Sequence, residues 1–74
     1  MKYTTRIISD PNIMLGKPII RGTRITVELI LRKLAEGITI EELLTAYPHL
    51  TREDILACLE YSADVIAGEE IIAP

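Results

Sequence analysis

Residues 39–55 read TIEELLTAYPHLTREDI, and this stretch decides the fold. Thr39 followed three residues later by Glu42 is a capping box, in which the threonine oxygen and the glutamate carboxylate each accept a free backbone N–H. Pro48 ends this helix, because the residue before a proline avoids helical backbone. Thr51 caps a second and longer helix. Two helices joined by a four-residue turn have the dimensions of a helix-turn-helix, which the stretch therefore predicts.

Across the rest of the chain, residues that cap or end helices predict three helices, over residues 27–36, 40–47 and 52–67. Thr26 caps the first helix and Gly37 stops it. Helical spacing of the apolar residues then assigns two faces to the third helix. Its inner face is predicted to carry Ile55, Leu59, Ser62 or Ala63, and Ile66. Its outer face is predicted to carry Arg52, Glu53, Ala57, Glu60 and Asp64.

Residues 1–25 are predicted to form an N-terminal arm of short strands and turns. If Gly22-Thr23 is a two-residue hairpin turn, glycine in the first place fits type II′. Arg21 and Arg24 then face each other across the strands, and like charges placed directly opposite are unfavourable. A carboxylate, an acidic partner or a phosphate should neutralise them. Pairing with the acidic helices or with a second subunit is an equally open interpretation.

The net charge of −3 hides a strong asymmetry along the 74 residues. Residues 1–33 carry seven basic and two acidic side chains, a balance of +5, whereas residues 34–74 carry one and nine, a balance of −8. Such asymmetry indicates nucleic-acid binding or a charged tail. The alternative is that the two halves attract each other, within one chain or across a dimer.

The chain offers few groups for catalysis or metal binding. Cys58 and His49 are the only thiol and the only imidazole, whereas a structural zinc site wants four Cys or His ligands. Cys58 lies among apolar residues of the third helix and is predicted to be a small buried residue. His49 lies in the turn between helices. We therefore expect no enzyme activity, no cofactor and no metal.

Size and composition also set expectations about assembly and location. A core this small rarely supplies more than about 3–5 kcal/mol of net stability, which favours a homodimer as the source of more. Charged or polar residues interrupt every apolar run before the roughly 20 residues that a membrane helix needs. The single cysteine fits a reducing compartment. We expect a cytoplasmic protein with no membrane segment and no secretory signal.

Five strings in order along the chain resemble the domain-of-unknown-function family 433. They are DPNI at 10–13, GKPIIRGTRI at 16–25, LAEG at 34–37, EELL at 41–44 and YPHLT at 47–51. The resemblance covers about residues 6–65, and its G-K-P…R-G-T-R string is unusual. One departure is Leu15, where the family usually has a second glycine.

The resemblance implies a mainly α fold, with a three-helix homeodomain-like helix-turn-helix core after a short N-terminal β element. The predicted elements divide the chain into an arm (1–25), a helical core (26–67) and a tail (68–74), and the resemblance implies that the arm is used for dimer contact. It also implies the antitoxin half of a toxin–antitoxin pair, whose usual partner is a small PIN-like ribonuclease toxin. Such antitoxins often repress their own operon by binding DNA.

Candidate binding residues follow from the charges. The outer face of the third helix is acidic and would repel phosphates, so any contact with operator DNA should come from basic residues elsewhere. These candidates are Lys17, Arg21, Arg24, Arg32, Lys33 and Arg52. The acidic and then apolar tail could plug the basic channel of a ribonuclease. Its candidate residues are Glu69, Glu70, Ile71 and Ile72. The alternatives are a stand-alone DNA-binding regulator and a dimerisation module with no nucleic-acid role.

Overall fold

Three helices and one two-stranded sheet make up the fold in a computed structural model that describes residues 5–68. The elements in chain order are β1 (Ile7–Ile8), a 3-10 helix (Met14–Gly16), β2 (Ile19–Ile20), α1 (Val27–Ala35), α2 (Ile40–Ala46) and α3 (Arg52–Ala67). The predicted mainly helical fold with a short N-terminal β element is therefore confirmed. Among these residues, none of the helices combines the length and the hydrophobicity that a membrane span requires.

A threonine caps each helix, as predicted. The Thr26 hydroxyl oxygen accepts the Leu29 N–H at 3.0 Å. The boxes of α2 and α3 are reciprocal, with Thr39 paired to Glu42 and Thr51 paired to Asp54. Helices α1 and α2 each end one residue earlier than predicted, because Glu36 and Tyr47 are the C-caps.

The chain folds back after β2 as predicted, because Ile19 forms an antiparallel bridge with Thr26 and the Ile20 N–H donates to the Ile25 oxygen at 2.9 Å, but the turn itself differs. β1 runs antiparallel to β2, with Ile7 opposite Ile20. The Thr23 N–H donates to the Ile20 oxygen at 3.0 Å, and Gly22 has a φ of +78° at the third position of this turn. A positive φ at that position is typical of a type II turn, so the predicted type II′ turn is wrong. Arg21 and Arg24 lie in the loop between Ile20 and Ile25, so they are not paired on two strands.

The core gathers around the first half of α3. Ile19, Ile30, Leu43 and Ile55 are almost completely buried, and each comes from a different element. Helix α3 packs against α1, α2 and β1, which explains why the buried arc of its first turns is wide.

The buried side of α3 differs from the inner face that we predicted for this helix. Ala57, which we expected on the outer face, is fully buried. Leu59 and Ile66, which we expected on the inner face, are 40% and 59% exposed. Small side chains at Ala57 and Cys58 let three neighbouring elements approach the helix closely, and this turns Leu59 outward.

A left-handed turn precedes β2. Met14, Leu15 and Gly16 have φ values of 50°, 58° and 79°, and Leu15 is 93% exposed. Left-handed backbone costs a non-glycine residue roughly 1–2 kcal/mol. Leu15 occupies one of these strained places and packs against almost nothing.

We therefore expect Leu15→Gly to raise the free energy of unfolding by about 0.5–1 kcal/mol, after the greater unfolded-state entropy of glycine is subtracted. Urea denaturation measures the change. Ala35→Gly at the exposed last residue of α1 is the control and should lower stability by about 0.5 kcal/mol, less than the cost of glycine in a helix interior. Destabilisation by both substitutions would contradict the strain at Leu15.

Candidate functional site

Two of the predicted DNA-binding residues are held by one carboxylate. Lys17 Nζ lies 2.9 Å from Glu28 Oε1, and Arg32 Nη2 lies 3.1 Å from Glu28 Oε2. The hydrogen bonds from Lys17 and then Arg32 hold the pKa of Glu28 below its ordinary value. All three side chains are exposed, so this is a surface cluster with one net positive charge.

The loop after β2 presents two more of the candidates. Arg21 is exposed, and its Nε donates to the Thr5 backbone oxygen at 2.9 Å. Arg24 is exposed in the same loop. Because the Arg21 contact uses only Nε, the remaining guanidinium donors are available for an anion.

The last two candidates lie on helices. Lys33 is half-buried near the end of α1. Arg52 begins α3, with its Nη1 3.7 Å from Glu41 Oε1 on α2. Both partners of that pair lie in the acidic part of the chain. The pair between Arg6 and Asp54 does join the basic and acidic parts, which is the internal pairing that the charge asymmetry left open.

Sequence reasoning missed the pair of Arg6 and Asp54. Arg6 Nη1 donates to Asp54 Oδ1 at 3.1 Å, while Oδ2 accepts the Thr51 N–H at 3.0 Å. The Asp54 side chain is only 12% exposed. One carboxylate therefore caps α3 and ties it to the N-terminal arm. Residues 48 positions apart leave no local signal of such a contact.

An apolar groove opens between α1 and the last turns of α3. Its volume is about 480 Å³. The residues that line it are Pro18, Val27, Glu28, Leu31, Arg32, Tyr61, Ser62, Val65 and Ile66. Val65 points along the core face of its helix but is 48% exposed, because α3 extends past the core at this end. Grooves of this kind bind the apolar face of a partner helix.

The predicted partner-binding tail, with Glu69, Glu70, Ile71 and Ile72, lies outside the described residues. Its point of attachment is described, because Gly68 is the C-cap of α3. Val65 and Ile66 stand two or three residues before that glycine and line the groove. Gly68, the last described residue, therefore follows the groove lining by less than one helical turn.

The two remaining candidates, Cys58 and His49, lie in the core and in an exposed turn. Cys58 is fully buried, and burial, helped by Asp54, raises its pKa to about 12. It is a thiol at neutral pH and a poor nucleophile. His49 is exposed in the turn. Among residues 5–68, no group of three His, Cys, Asp or Glu side chains is arranged to hold a metal ion.

The chain is similar in sequence and fold to proteins of one known family. The profile of the family described as "Protein of unknown function (DUF433)" matches residues 7–62. A crystal structure of a DUF433 member from Anabaena variabilis superposes with a TM-score of 0.80 at 34% identity, over 84% of this chain and 61% of that one.

A curated relative from Sinorhizobium fredii, "Uncharacterized protein y4eO", is 36% identical over 63 residues. The match covers 84% of this chain but 28% of that relative. The chain thus spans less than two thirds of the length of either relative.

Proposed function

This chain belongs to the DUF433 family of proteins of unknown function, and we propose that it is an antitoxin-like protein that binds and neutralises a PIN-like ribonuclease toxin. The groove between α1 and α3 is the observation that carries this proposal. It is apolar, and Val65 and Ile66 of its lining stand two or three residues before Gly68, after which the acidic and then apolar tail follows in the sequence. The complex forms in the cytoplasm, where Cys58 stays reduced.

Charge supports the same partner. A ribonuclease binds RNA through a basic channel, and a protein that blocks the channel is favoured by carboxylates at the contact. Helices α2 and α3 expose such carboxylates, at Glu41, Glu42, Glu53 and Asp64. In this proposal the groove takes an apolar segment of the toxin, while Glu69 and Glu70 of the tail pair with its basic groups and Ile71 and Ile72 are buried.

The test is a tagged pull-down from the native cell, with and without nuclease treatment, read by mass spectrometry. We expect a stoichiometric small PIN-like protein that survives nuclease treatment. Recovery of DNA alone would favour a stand-alone regulator. Recovery of neither would contradict the proposal and leave the dimerisation module as the interpretation.

DNA binding is proposed as a linked second activity, favoured by the exposed loop that carries Arg21 and Arg24. We propose that α2, the turn and α3 act as a homeodomain-like helix-turn-helix unit while the loop supplies phosphate contacts. Arg52 at the start of α3 and the Lys17, Arg32 and Lys33 side chains assist. Guanidinium groups bind phosphate with two parallel hydrogen bonds, which makes the loop the strongest of these contacts.

Changing both Arg21 and Arg24 to alanine should abolish binding to the DNA upstream of the chain's own gene. Each lost phosphate contact also lowers the dependence of log K on log salt by about 1. Electrophoretic mobility shifts at several salt concentrations measure both effects, and circular dichroism checks that the fold is kept. An unchanged affinity would refute the role of the loop.

A further inference from the structure

Helix α3 has a second apolar face that the core does not use. Leu56, Leu59, Ala63 and Ile66 are exposed and follow one another at spacings of three, four and three residues. This spacing places them in one row along the helix, which we call the α3 stripe. Among the buried side chains, Cys58 lies about 100° round the helix from Leu59, and Ile55 marks the border between the α3 stripe and the core.

The two edges of the α3 stripe carry opposite charge. Helical spacing places the exposed side chains of Glu53 and Asp64 along one edge. The other edge faces α1, because the groove brings the end of α3 beside Arg32. The cluster of Lys17, Glu28 and Arg32 gives that edge one net positive charge.

We propose that the α3 stripe is the interface of a homodimer, in which the α3 helices of two copies run parallel on either side of a two-fold axis. Rotation about an axis parallel to the helices lays the acidic edge of each copy over the basic edge of the other. An antiparallel pair would bring acidic edge against acidic edge, which costs energy. Charge complementarity therefore selects a second copy in the parallel orientation.

Packing favours the same occupant. In a parallel pair, residues at these spacings meet their own counterparts, so leucine packs on leucine at 56 and 59. Ala63 is small and lets the two backbones approach between those layers and Ile66. A chain with one small core gains stability from covering exposed apolar surface in this way.

The proposed dimer requires neither a toxin nor DNA. Its contact surface lies on α3, whereas the family resemblance implied a dimer contact in residues 1–25. Among the residues that line the groove, Ile66 is shared with the α3 stripe, whereas Leu31 and Val65 lie outside the stripe. A failed search for a toxin would leave the dimer untouched.

Cysteine cross-linking tests the interface directly. On a parallel two-fold axis, position 63 faces its own counterpart at the roughly 6 Å between Cα atoms that a disulfide spans. We expect Ala63→Cys to form a covalent dimer under mild oxidation at least tenfold faster than Asp64→Cys, which lies about 100° further round the helix. Both positions are exposed, so neither substitution disturbs the core. The unchanged chain is the background control, because Cys58 is buried and protonated.

Sedimentation equilibrium of the unmodified chain gives the second readout. We expect twice the 8.3 kDa chain mass at micromolar concentrations, and a single chain mass for Leu59→Glu. Val65→Glu in the groove should remain a dimer. Equal oxidation of the two cysteine variants, a monomeric unmodified chain or a dimeric Leu59→Glu variant would each overturn the proposal.

Discussion

Replacing Asp54 with alanine is expected to lower the free energy of unfolding by about 2–4 kcal/mol, a large share of what a domain of this size has. The carboxylate caps α3 through Thr51 and accepts a hydrogen bond from Arg6 at 3.1 Å. Its side chain is 12% exposed, so water replaces these partners poorly. The substitution also leaves the Arg6 guanidinium without its carboxylate. Urea denaturation followed by circular dichroism measures the loss.

Glu42→Ala is the matched control for this prediction. Glu42 occupies the same N3 position of a capping box on α2, and its contacts to Thr39 lower its pKa, but it is exposed and has no arginine partner. We expect a clearly smaller loss of stability. Arg6→Ala should fall between the two, because it removes the tie to the arm but keeps the cap. Equal losses for Asp54→Ala and Glu42→Ala would show that the arm contributes nothing through this contact.

The groove yields the second large effect. Val65→Glu should weaken binding of the proposed PIN-like toxin about 100-fold or more, because a carboxylate is then buried against an apolar surface with no partner. Val65 is 48% exposed, so the isolated fold tolerates the change. Isothermal titration calorimetry of the purified pair gives the dissociation constant.

Ala67→Glu controls for the added charge. Ala67 is exposed in the same last turn of α3 and does not line the groove. It carries the same small penalty for negative charge at a helix C-terminus. We expect affinity within a few-fold of the unmodified chain. Similar losses for both variants would indicate a charge effect and would remove the groove from the contact.

The helices were predictable because their boundaries are set locally. Thr26, Thr39 and Thr51 each cap a helix through atoms three residues away, and such spacing is readable in the sequence. The three resulting helices are the part of the fold that sequence reasoning reached.

The burial of α3 was not predictable in the same way. Apolar residues lie on two arcs of this helix, and periodicity alone cannot decide which arc meets the core. Close packing around Ala57 decides it, and the arc with Leu59 is left outside. The surface on which we base the dimer is therefore the same feature that made the sequence pattern ambiguous.

The candidate site shows the same division. The basic residues Lys17 and Arg32 were visible as charges, but their shared partner Glu28 depends on how the left-handed turn places residue 17 against α1. The groove depends on the length by which α3 overhangs the core, which only the assembled fold fixes. Local sequence thus identifies which side chains are charged, and tertiary packing determines which of them remain available.

A ribonuclease titration tests most directly whether this chain inhibits a nuclease by binding it, as we propose. The co-purified PIN-like protein would be assayed on a fluorescent RNA while the purified chain is added in steps. We predict that RNA cleavage falls to the background rate at a molar ratio of one chain to one toxin, and that Val65→Glu fails to inhibit at that ratio. Undiminished cleavage at a tenfold excess of the unmodified chain would contradict the account.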